Sequence, residues 1–109
     1  MVSAYNFTKK DEINSVSSTP MQKYKNEKVT VIGAAITERP DETTGEVKKV
    51  GIIVTKEAGT LSTISTTALK SLDMIIDYMA DLGDGAEIDI FIKASTSNSG
   101  REFLTLEIV

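Results

Sequence analysis

One stretch of helical spacing interrupts a chain otherwise patterned in twos. From Thr67 to Leu82 apolar residues recur at Leu69, Leu72, Ile76 and Met79, with Ile75 and Leu82 widening the stripe. That is the period of an amphipathic helix. Lys70, Asp73, Asp77 and Asp81 line the opposite side as a solvated face, and Tyr78 reads as a packing residue at the border. Ser65 or Thr66 can cap the start, and Gly83 can end it. On both sides of this stretch the pattern is that of strands, whose side chains alternate between faces.

Residues 28–38 read as the first strand. Val29 and Val31 share one parity and Ala34 and Ile36 the other, with Gly33 at the change. A glycine where the buried parity flips predicts a bulge or a sharp bend. Residues 46–56 read as the second strand, with Val50, Ile52 and Val54 facing inward and Lys49, Ile53 and Thr55 outward. TLSTIS, rich in β-branched residues, reads as the third. Beyond the helix, EIDIFIKASTSNSGREFLTLEIV reads as a hairpin. Ile88, Ile90, Ile92 and Ala94 share the apolar face of its first strand, and Leu104, Leu106 and Ile108 that of its second. Phe91 and Phe103 fall on the polar faces, with Phe103 expected opposite Phe91 or Lys93.

Strand, strand, strand, helix, strand, strand is the order of the OB-fold. The expectation is therefore an all-β chain with one helix, an OB-fold-like five-stranded Greek-key barrel over residues 28–109. A bent first strand suits it, because one strand must serve both sheets of such a barrel. The rival is an open α+β sheet built from the same elements. Residues 1–27 stand outside the barrel. Tyr5 and Phe7 can share one face of a short extra strand there, and DEINSVSSTP reads as loop.

Composition narrows the function. The chain of 109 residues is of single-domain size and contains neither histidine nor cysteine. The commonest general base, thiolate nucleophile and zinc ligands are thus missing, and no carboxylate pair stands out by spacing, so a non-enzymatic protein is expected. DLGDGAEID lacks the ligand spacing of a calcium loop, so neither metal nor cofactor is expected. No run reaches the length of a membrane span, and the first residues lack the apolar core of a signal peptide, so the expected location is cytoplasmic. Net charge is −4, unevenly spread. Residues 1–56 carry nine Lys/Arg against seven Asp/Glu, a net of +2; residues 57–109 carry three against nine, a net of −6. One acidic side leaves room for a basic groove elsewhere.

OB barrels bind oligonucleotides or oligosaccharides on the face of strands two and three, between the loops joining strands one to two and four to five. Here those loops are ERPDETTGE, flanked by Arg39, Lys48 and Lys49, and STSNSGR, flanked by Lys93 and Arg101. Binders of single strands combine such cations with aromatic faces on which bases stack. Phe91 and Phe103 qualify. They equally suit packing against the helix or the N-terminal segment, or a subunit interface, which leaves a protein-interaction module on the same barrel as the alternative.

Three segments, QKYKNEKVTVIGAAI, AGTLSTISTTALKSLDMIIDYM and FIKASTSNSGREFLTLEI, resemble in order the small single-stranded DNA-binding proteins of tailed bacteriophages with protein-primed replication. The resemblance covers roughly residues 20 to 109. It implies binding of single-stranded DNA with little sequence preference, protection of the strand displaced during DNA replication, and a place in the host bacterial cell. Self-association along the strand and contact with replication proteins are partner expectations of the same kind. Tyr24 and Lys25 match the family's aromatic-Lys pair, with Lys23 beside them. Where the family can carry tyrosines on its first three strands, this chain has Thr37, Leu61, Ser62 and Thr63. Stacking then falls to Tyr24, Phe91 and Phe103, or to Tyr5 and Phe7.

Overall fold

Gly33 marks the bend in the longest strand. The computed structural model describes residues 2–109. In β3 (Glu27–Pro40) Val29 and Val31 point into the core. The pairing with β4 (Val47–Thr55) then shifts between Val31 and Gly33, and Ala34 and Ile36 take the inward positions. This bulge lets one strand serve two halves of a sheet. Residues 27–31 pair with β6 (Ile88–Thr96), and most of the ladder to β4 lies beyond the bulge.

Around β3 the chain forms a curled, open, mostly β sheet. β5 (Gly59–Thr63) pairs with β4, and β7 (Glu102–Ile108) pairs with β6. Two short strands come from the first twenty residues. β1 (Ser3–Tyr5) pairs with β3, and β2 (Thr19–Pro20) runs parallel to β5. The order is β2-β5-β4-β3-β6-β7. The long helix, α2 (Thr66–Leu82), packs on the inner side, where Ala68, Leu72, Ile75, Ile76 and Met79 join one core with the inward residues of the long strands. Each large apolar side chain buried this way contributes about 1.5–3 kcal/mol. Gly51 permits the close approach: a Cβ there would lie 2.8 Å from Leu72 Cδ2 and 3.0 Å from Leu69 Cδ2.

The structure departs from the sequence reading in several places. The described residues hold two α-helices rather than one. α1 (Lys9–Asn14) begins in the stretch read as loop, started by a reciprocal cap between Thr8 and Asp11. They also hold seven strands rather than five: β1 holds Tyr5 of the short extra strand read in residues 1–27 but stops before Phe7, and β2 lies outside the sequence reading. The barrel is not closed by strand pairing, because β5 and β7 share no ladder. Met21, at the head of the 3₁₀ turn Met21–Tyr24, is 0% exposed in the core. That turn touches both β5 and β6. Thr67 Oγ1 donates to the Leu104 carbonyl at 2.7 Å, and Leu104 N–H donates to Ser65 Oγ at 3.4 Å. Ser65 thus occupies the N-cap position of α2 while its hydroxyl reaches β7 instead of capping the helix.

Another departure concerns β4. Ile53 faces the core at 0% exposure, and Ile52, expected inward, is buried at 1% on the opposite side with Ala35. Alternation alone cannot orient a run that is apolar on both faces. The N-terminal segment accounts for the second burial, because it crosses this outer face. Asn6 donates its side-chain amide to the Ile32 carbonyl at 2.8 Å, Arg39 donates to Ser15 Oγ, and Ser18 Oγ donates to Ser62 Oγ at 2.8 Å. A Cβ on Gly33 would sit 2.5 Å from the Asn6 carbonyl oxygen, so the crossing requires glycine at that point. Among the described residues no helix is long and apolar enough to cross a membrane.

Candidate nucleic-acid interface

The outward face of β6 carries Asp89, Phe91, Lys93 and Ser95 in alternation. The hairpin register differs from the expected one. Phe103 lies opposite Ser95, and Phe91 lies opposite Glu107. The two phenylalanines therefore share a face but are offset by four residues, about 13 Å along the strand. Both are half-buried. On the other side of β6, Lys28 of β3 sits directly across from Phe91. The sequence carries no signal for this juxtaposition, which exists only in the β3–β6 register.

Beyond Phe103 the face runs into the unpaired seam. A groove of about 520 Å³ lies there, lined by Pro20, Met21, Gln22, Ile64, Phe103 and Leu104 among others. Ile64 is 67% exposed. The 3₁₀ turn is fastened to the start of β7 by Gln22 and Lys25, both bonded to Glu102, the latter at 3.4 Å. Asn26 holds the edge of β6, accepting from Ala94 N–H at 3.3 Å. Gln22 and Lys25 are thus held at Glu102, which lies between Arg101 and Phe103 in the chain. Tyr24, however, is half-buried and packs against the core, so its ring is committed to structure.

Arg39, Lys48 and Lys49 lie elsewhere. The loop they flank and the β6–β7 loop sit at opposite ends of β3, and the strand face between those ends is the one the N-terminal segment covers. Arg39 is engaged by Ser15. Lys48 pairs with Asp41 at 3.1 Å, and Lys49 lines a separate hollow beside the start of α2. The Asp41 carboxyl is held below its ordinary range by the Thr43 backbone N–H, then by Lys48 and the Thr44 N–H. The N-terminal segment crosses the outer face of the second and third long strands, where a site is expected, while Lys28, Phe91, Lys93 and Phe103 lie on β3, β6 and β7.

Charge on this surface is mixed. Lys93 pairs with Glu107 at 3.5 Å and Lys25 with Glu102, each about half exposed. Exposed pairs of this kind are worth about 0.2–1 kcal/mol, so a phosphate can compete for either cation. Lys23, Lys28 and Arg101 have no carboxylate within ion-pair distance among the described residues. The far end of the face is acidic. Thr30 donates to Asp89 at 2.7 Å and its N–H to Glu57 at 2.6 Å, and Lys56 pairs with Glu87. The Glu57 carboxyl is lowered by the Thr30 N–H, and the Lys56 ammonium is raised by Glu87. Among the described residues no group of His, Cys, Asp or Glu could hold a metal ion.

Comparison with known proteins gave no matching family model, no matching curated protein and no matching solved structure.

Proposed function

We propose that this chain binds single-stranded DNA with little sequence preference, on the outward face of β3, β6 and β7, and that its curled sheet is an OB-type barrel left open at one seam. The observation that carries the reading is Phe91 and Phe103 on one face, with Lys28 across from the first and Lys93 between them. Aromatic planes accept any base, and flanking cations follow the phosphates, which gives affinity without base-edge readout. In this reading the protein is not an enzyme. It coats strands exposed during replication, as the resemblance to phage proteins implies. A fluorescence titration with oligo(dT) at two salt concentrations tests it. Binding that weakens steeply with salt is expected. Failure of micromolar protein to bind at low salt overturns the proposal.

A further inference from the structure

We propose that the outward side of α2 is a docking surface for a basic, amphipathic helical segment of another protein. Met74, Tyr78 and Leu82 recur every four residues and are 74%, 43% and 52% exposed. At 1.5 Å of rise per residue they form an apolar stripe about 12 Å long. Beside it runs a second stripe, Asp73, Asp77 and Asp81, continued past the helix end by Asp84. None of the four aspartates has an ion-pair partner among the described residues. The stripes lie on the side of α2 turned away from the core, opposite the sheet face that carries Phe91 and Phe103.

This arrangement does nothing for the fold. Like charges four residues apart repel on a helix. Carboxylates near a helix C-terminus also oppose its dipole, and the last turn of α2 has no basic residue. Exposed Met and Leu gain nothing from water. A partner helix with apolar residues at the same spacing and Lys or Arg beside them would bury the first stripe and neutralise the second, so the charge pattern selects a basic occupant. Acidic DNA is repelled from the same side.

The probe is a fluorescein-labelled peptide of leucine and lysine with helical periodicity, beside a peptide of the same composition with that periodicity scrambled. Binding is read by anisotropy. The wild type should prefer the periodic peptide by about tenfold or more, and Met74→Ser/Tyr78→Ser should lose that preference. Asp73→Asn/Asp77→Asn/Asp81→Asn should weaken binding by about tenfold while its thermal midpoint stays level or rises, a combination that a purely structural role does not give. Glu42→Gln/Glu46→Gln on the remote β3–β4 loop should change nothing. Equal binding of the two peptides, or unchanged binding by the Met74/Tyr78 variant, overturns the proposal. So does a wild-type oligomer in light scattering that the same variant converts to monomer, because the stripe would then belong to a second copy of this chain.

Discussion

Phe91 and Phe103 make different demands on the same face. Phe91 has Lys28 and Glu107 as cross-strand neighbours, while Phe103 borders the seam groove. Replacing either by alanine should cost about 1–3 kcal/mol of oligo(dT) affinity in a fluorescence titration. Equal affinity for the Phe91→Ala, Phe103→Ala double variant and the wild type would remove both from the interface. At the β3–β4 turn, Asp41 accepts from the backbone of Thr43 and Thr44, at 2.7 and 3.2 Å, and pairs with Lys48. These contacts favour its charged form, so its folded pKa lies below the unfolded one. Its contribution to stability is complete above the unfolded value and fades as pH falls through the lowered folded value. An NMR titration of the Asp41 carboxyl carbon should give a midpoint below that of an ordinary aspartate, with the Thr43 amide signal moving in step. A midpoint at or above the ordinary value contradicts the assignment.

At the scale of elements, the 3₁₀ turn Met21–Tyr24 matters most. It fills the seam where β5 and β7 do not meet, and Met21 is wholly buried there. Met21→Ala should destabilise the protein by about 2–5 kcal/mol in urea denaturation, through lost burial and the cavity left behind. A change under about 0.5 kcal/mol, typical of a surface site, would place Met21 outside the core. The seven long or short strands were unequally legible. β3 to β7 and α2 carry strong periodicity, and the Gly33 bulge was visible in the parity flip. β1 was legible only through Tyr5 and Phe7, β2 is too short to carry a period, and no residue of α1 is buried, so α1 has no apolar stripe to read. The inward face of β4 was misread because Ile52 and Ile53 are both buried, under different elements.

Over the whole molecule, charge is unevenly spread. The acidic stripe of α2 lies on one side, and Lys25, Lys28, Lys93 and Arg101 lie around β6 and the start of β7. If about four of these cations meet phosphates, log affinity should fall against log salt with a slope of about −3. Lys28→Gln should flatten that slope by about 0.7, one phosphate contact on a single strand. An unchanged slope for this variant would move the phosphate path away from β3. The N-terminal segment adds a constraint of its own. By crossing the outer face of β3, β4 and β5 it takes the surface where an OB-type barrel was expected to bind and leaves the β3–β6–β7 face open.

The sequence by itself determined strands β3 to β7 and the long helix, through the periods of their apolar residues, and the bend at Gly33, through a change of parity. It also determined which chemical groups are present: outward phenylalanines, lysines beside them, neither histidine nor cysteine. Tertiary structure alone decided which face of β4 meets α2, that Phe103 lies across from Ser95, that Lys28 stands beside Phe91, and that residues 6–18 close one face of the sheet. The physical reason is that periodicity encodes only local geometry. Register and covering are set by contacts between residues distant in sequence, such as Asn6 against Gly33 or Met21 in the seam, which no local pattern contains.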